Sequence, residues 1–211
     1  MITKRYACIG SRETPQHILK LTFRFTNILA ELGYSMYSGG CPKGMDYAGL
    51  RGAYSHKNSD KSKNRIYISW EGMSGLRHDP ENGFYCPQDH FENYKEAAAL
   101  GEKARGGWHN AGRGSVAHHS RNPYQVLGDD LNSPVDFVLT WAPYKSNGPQ
   151  VTGGTATAVK IALERDIPVF NLIEPDLEAR LEFFCNVVHA QHREKCLRDG
   201  KLIAENLQPT C

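Results

Sequence analysis

At 211 residues, with 40% hydrophobic and 23% charged residues, the chain has the size and make-up of one globular domain with room for appendages. A formal net charge of +2 gives no electrostatic case for a nucleic-acid partner, and no segment approaches the roughly 20 apolar residues of a membrane span. None of the cysteines at 8, 41, 86, 185, 196 and 211 sits in a CxxC pair, which excludes a zinc ribbon and a thioredoxin motif.

Met1-Ile2-Thr3-Lys4-Arg5 runs straight into a strand-like segment without an apolar leader. The expectation is a cytoplasmic protein with reduced thiols. Tyr6–Ile9 reads as a buried strand that turns at Gly10-Ser11-Arg12. Ile18, Leu21, Phe25, Ile28, Leu29 and Leu32 recur at helical spacing, and Gly33 supplies a stop. Tyr34–Tyr37 is a second strand, followed by Ser38-Gly39-Gly40 and a helix over Met45–Ala53. Arg65–Trp70 is a third strand candidate. Residues 71–90, with several Gly and Pro and no clean period, read as an insertion, either a lid or a plain surface loop. Helices are expected over Phe91–Lys103 and Arg121–Leu131, a strand over Val135–Trp141, a helix over Ala156–Glu164 and a strand over Ile167–Leu172. The tail from Leu177 to Leu207 reads as helical.

Strands alternating with helices predict a Rossmann-like α/β domain: a parallel sheet with helices on both faces over residues 1–175, then a helical extension over 176–211. In such a sheet, ligands gather at the carboxyl ends of the strands.

Three glycine-rich turns fall at that edge. Gly10-Ser11-Arg12-Glu13 reads either as a tight turn or as a phosphate contact, with backbone N–H groups and the Arg12 charge as donors. Ser38-Gly39-Gly40-Cys41-Pro42-Lys43-Gly44-Met45-Asp46 closes with neither GK[ST] nor GxGxxG. Its glycines would let a ligand approach the backbone, and Asp46 would either cap the next helix or hold a ribose hydroxyl. Thr152-Gly153-Gly154-Thr155, with Thr157 behind it, offers N–H groups and hydroxyls as a phosphate cradle. The adjacent His118-His119 cannot point the same way on regular structure and has no acidic or Cys cluster beside it in sequence. No metal and no cofactor are expected. Arg121-Asn122 is placed at a helix start as an anion contact. Trp70 and Trp141 stand at strand ends, where each would either stack on a base or pack in the core.

The runs GSRETP, SGGCPKGMDYAGLRGA, SRN and VTGGTATAVKIALERDIPVFNL resemble the Rossmann-like SLOG superfamily, which includes the DNA-processing protein A and Lonely Guy families. The overall likeness is to stand-alone members common in bacteriophage genomes and covers about residues 5 to 172. The resemblance implies a nucleotide or nucleotide-derived ligand and a homodimer. It also raises N-glycosidic cleavage of a nucleotide, as in Lonely Guy hydrolases, and single-strand DNA binding. For cleavage, Arg121 matches the family arginine, Asn122 replaces its lysine, and Lys160 stands where its catalytic glutamate would be, leaving Glu13 or Asp46 as the candidate carboxylate. DNA binding is not favoured, because a net charge of +2 does not suggest a basic groove. The leading expectation is a sensor or sequestering module that uses Gly10, Ser11, Arg12, Ser38, Gly39, Gly40, Gly44, Asp46, Arg121, Asn122, Thr152, Gly153, Gly154, Thr155 and Thr157.

Overall fold

The computed structural model describes residues 4–57, 59–146, 148 and 150–206, with side chains through Gln191. Residues 1–3 and the end of the expected tail, 207–211, lie outside the described residues. Six strands form one all-parallel sheet: β1 (Arg5–Gly10), β2 (Ser35–Ser38), β3 (Arg65–Tyr67), β4 (Phe84–Tyr85), β5 (Phe137–Trp141) and β6 (Val169–Asn171). Their spatial order is β4-β3-β2-β1-β5-β6. The helices are α1 (Gln16–Glu31), α2 (Met45–Ser55), α3 (Pro87–His90), α4 (Tyr94–Arg105), α5 (Arg113–Leu127), α6 (Thr155–Leu163) and α7 (Pro175–Asn206).

Parallel neighbours need crossover connections, and these place helices on the sheet faces. α1, α2 and α7 cover one face; α4, α5 and α6 cover the other. The central strand shows why. Tyr6, Ala7, Cys8 and Ile9 are all buried, and their side chains alternate. Tyr6 and Cys8 join Ile18, Met45 and Leu172 on the first face, while Ala7 and Ile9 join Tyr124, Val138 and Ile161 on the second. α1 stops as its sequence predicts, with Gly33 at φ +80°. The first part of the tail is tied to α1: Arg24 donates to the Asn186 amide oxygen at 2.6 Å, and Cys185 is buried against Leu21 and Ile28. Among the described side chains, Cys8, Cys41, Cys86 and Cys185 are free thiols.

Two elements depart from the sequence reading. Arg121-Asn122 does not open a helix; α5 begins at Arg113, and both residues are buried in its second half. The first turns of α5 lack an apolar stripe because Gly114, Ser115, His118 and His119 line a cleft and not the core. Pro123 inside α5 cannot donate to the His119 carbonyl, and that carbonyl packs against Gly101 of α4, where a side chain would not fit. The second departure lies in residues 71–90, which hold short turns and the one-turn helix α3 but also contribute β4 to the sheet edge. A two-residue strand is too short to show a period. β3 is correspondingly shorter than expected, and Ser69-Trp70 leave the sheet.

Candidate functional site

The sheet order reverses between β1 and β5, so the chain leaves these neighbours toward opposite sides. That divergence opens a crevice at the carboxyl edge. A cleft of about 760 Å³ sits there, within the range of small-molecule sites. Its walls are Gly10-Ser11-Arg12 after β1, Cys41-Pro42-Lys43 and Asp46 after β2, Trp70, Met73 and Ser74 after β3, and Thr152–Thr155 after β5. One face of α5, from Gly114 through His118, Arg121 and Asn122 to Gln125, closes the back. These positions recur at three- and four-residue spacing, as one helix face requires.

Two buried charges form the floor. Asp46 is 6% exposed and accepts the Gly10 N–H at 3.0 Å. Burial raises its carboxyl above the ordinary range; the Arg121 charge and the N–H groups of Gly10, Cys41 and Gly39 pull it back. Arg121 is 7% exposed and donates from Nη1 to the Tyr67 carbonyl at 2.9 Å. Its Nε has no hydrogen-bond partner. Burial lowers its hold on the proton and Asp46 offsets this; a guanidinium stays a cation under such conditions. Gln125, with its amide oriented to suit its neighbours, accepts from Gly39 N–H and Arg121 Nη1 and donates to Asn122. Asn122 in turn donates to the Gly154 carbonyl at 2.9 Å. One helix face thus ties the end of β3 to the loops after β2 and β5.

The glycines separate into two kinds. A Cβ at Gly10 would meet Met45, one at Gly39 the Arg121 guanidinium, and one at Gly44 the Ser11 backbone. Gly40 is hemmed by Ile66, Ile68 and Leu76. These residues let protein segments pack, and Gly39, Gly40 and Gly44 are not on the cleft wall. Gly153 and Gly154 face open space on that wall. They lead into α6, whose N-terminus has no side-chain cap; the Ala156 N–H donates to the Gly153 carbonyl at 3.2 Å, and the other first-turn donors are left to a ligand.

The other predicted residues divide similarly. Ser11, Arg12, Thr152 and Thr155 line the cleft. Ser38 is buried and donates to the Cys8 carbonyl at 2.6 Å. Thr157 is buried beside His119 Nδ1 at 2.6 Å. Glu13 is solvent-exposed and faces Lys43 at 3.7 Å. Lys160, the position matched to the Lonely Guy glutamate, lies on the solvent side of α6, 3.9 Å from Glu164.

No protein-family model matches the sequence, and no curated protein matches it. Among solved structures, the chain is similar to the molybdenum cofactor binding protein from the phototrophic bacterium Rippkaea orientalis. The match has 17% identity, covers 84% of this chain and 83% of that chain, and has a TM-score of 0.48.

Sequence reasoning did not select Lys43, Gln125, His118 or His119 as ligand contacts, yet all four line the cleft. The helical spacing of His118, Asn122 and Gln125 was the available signal; the late placement of the helix start hid it. His118 Nδ1 lies 2.7 Å from Ser69 Oγ, and its ring packs 5.0 Å from Trp70. Burial, with the Arg121 charge, lowers the His118 pKa to about 4. His119 is lowered by burial, Arg105 and Arg121. Both are neutral near pH 7. Cys41 remains a thiol, because burial raises its pKa, and offers no nucleophile.

Proposed function

We propose that the cleft binds a nucleotide or nucleotide-derived ligand, as a sensor or sequestering module. The carrying observation is the Thr152–Thr155 loop. Gly153 and Gly154 face open space at an uncapped helix N-terminus, across a cleft whose floor holds the buried cation Arg121. Exposed backbone donors, a helix dipole and a desolvated guanidinium together favour a phosphate. Arg12 and Lys43 add positive charge at the rim. The Trp70–His118 pair offers a ring surface for a base. The SLOG-like motifs in the sequence support the same reading and add the expectation of a homodimer, which light scattering would test.

Cleavage of an N-glycosidic bond is the second reading, and the position of Asp46 favours it. Asp46 is the carboxylate among the cleft-lining residues, while Glu13 and Lys160 lie away from them. Its oxygens already accept backbone N–H groups, so binding without turnover ranks first. Single-strand DNA binding ranks third, with Trp70 alone as a stacking aromatic on the wall.

The test is to denature purified protein and examine the supernatant by mass spectrometry, then titrate fresh protein with a nucleotide panel by calorimetry. A released nucleotide, or a saturable heat that Arg121→Lys weakens, supports binding. Indifference to every nucleotide rejects it. Free base accumulating in the same mixtures, and lost with Asp46→Asn, establishes cleavage.

A further inference from the structure

The segment between β3 and α4 brings a second set of donors together, away from the nucleotide-binding loops. Glu71, Cys86 and Asp89 place one ligand atom each within 4.8 Å of one another. His90 Nε2 lies 3.2 Å from Glu71 Oε1, and Cys86 Sγ lies 3.1 Å from Asp89 Oδ2. His78 holds the group from behind. Its backbone N–H donates to both Glu71 carboxylate oxygens, at 3.3 and 3.2 Å, and its ring Nδ1 accepts the Cys86 backbone N–H at 3.2 Å. The His78 and His90 rings stack with centroids 3.7 Å apart and planes 17° apart.

We propose that Glu71, Cys86 and Asp89 form a site for a zinc-type divalent cation, with His90, held 3.2 Å from Glu71, turning in as the fourth donor. The donor set decides the class of metal. Calcium and magnesium take oxygen ligands, whereas zinc takes thiolate, imidazole and carboxylate together, commonly four in a tetrahedron. Zinc–ligand distances of about 2.0–2.3 Å bring tetrahedral donors to roughly 3.4 Å apart, so Glu71, Cys86 and Asp89, whose ligand atoms lie within 4.8 Å of one another, close in by about an ångström or a little more, and His90 must turn toward them. On binding, the Cys86 thiol loses its proton to solvent, the sulfur–metal bond forms, and the Cys86–Asp89 hydrogen bond is replaced. The expectation of a metal-free protein rested on the absence of CxxC and on the His118-His119 pair; this set is spread over the loop and only the fold assembles it.

The segment also has a physical need for a cross-link. Between β3 and α4 its regular structure is two three-residue turns, a two-residue strand and the four-residue α3. Its own apolar cluster is small: Ile68, Met73, Leu76 and Cys86. Yet it supplies Trp70, Met73 and Ser74 to the cleft wall. A metal at its centre would brace that wall.

The experiment strips full-length protein with a chelator and titrates it with Zn²⁺ and Co²⁺, no nucleotide being present. The expected result is one equivalent of either metal and a thiolate-to-cobalt charge-transfer band in the near ultraviolet. Cys86→Ser should remove that band and weaken Zn²⁺ binding by at least about tenfold, since even outer partners of a metal site are worth about 10–100-fold. Asp89→Asn, at an exposed position, should weaken Zn²⁺ binding similarly with the circular dichroism spectrum unchanged. Cys185→Ser should leave band and stoichiometry as they are. Substoichiometric metal, a cobalt spectrum without the thiolate band, or equal Zn²⁺ affinity in wild type and Asp89→Asn would each overturn the proposal and leave the nucleotide reading untouched.

Discussion

The Arg121 guanidinium fills the space beside Gly39 that any side chain at position 39 would occupy. This contact joins the loop after β2 to the middle of α5 and fixes the cation at the cleft floor. Gly39→Ala should therefore act on the fold and the site together. The added methyl overlaps Nη1 and displaces the bond to the Tyr67 carbonyl. Overpacking of this kind costs about 1–3 kcal/mol, so we expect a loss of about 2 kcal/mol in chemical denaturation and a loss of nucleotide binding. Unchanged stability would mean that Arg121 rests elsewhere in solution.

Arg121→Lys separates charge from geometry. Lysine keeps the positive charge but not the planar fork that reaches the Tyr67 carbonyl and Gln125 together. Hydrogen bonds to a charged group contribute about 1.5–3 kcal/mol. The expected outcome is a Kd for the proposed nucleotide ligand raised by roughly tenfold to a hundredfold, read by calorimetry. A lysine variant that binds as wild type would show that charge alone suffices.

Much of the sheet was legible because its strands are buried on both faces and its helices carry regular apolar spacing. Tyr6–Ile9 and the Ile18–Leu32 stripe are of this kind. The start of α5 is not legible in the sequence because its first turns face a polar cleft, so Gly114, Ser115 and His118 carry no apolar signal. The three glycine-rich turns were placed on the correct edge, since parallel strands share a carboxyl end. Which glycines face solvent and which face protein was not legible. Gly39 and Gly153 look alike in sequence, and only the helix that returns 80 or so residues later in the chain, bearing Arg121, distinguishes them.

That distinction gives a paired test. Gly44 has φ +75° and ψ −150°, a region close to glycine-only, where other residues cost about 1–3 kcal/mol; a Cβ there would also strike the Ser11 backbone. Gly154 has φ −64° and ψ −27° with open space around it. Gly44→Ala should destabilise the fold by about 2 kcal/mol or more. Gly154→Ala should shift stability by no more than about 0.5 kcal/mol while weakening nucleotide binding, because its methyl stands at the entrance to the α6 backbone donors. Thermal denaturation and calorimetry on both variants check this. Intact binding in Gly154→Ala would move the phosphate off this loop.

The cleft histidines give a pH dependence whose sign is fixed by burial. His118 has its pKa lowered to about 4 by desolvation and then by the Arg121 charge, against about 6.5 in an unfolded chain. Between these values the unfolded state holds a proton that the folded state does not, so stability rises with pH. Read downward, stability contributed by neutral His118 is complete above about pH 6.5, falls as pH drops, and stops falling below about 4. His119 and His78 shift in the same direction. Asp60 and Asp130 have lowered pKa values, so their proton uptake falls at more acid pH; Asp46, raised by burial, acts in the opposite sense because the folded state takes up that proton more readily, and the comparison with a His118 variant isolates the imidazole. The denaturation midpoint should drop between pH 6.5 and 4, and His118→Gln, which retains a polar partner for Ser69, should flatten that slope. A midpoint with the same pH dependence in the variant would show that His118 takes up its proton equally well folded and unfolded, and is therefore open to water.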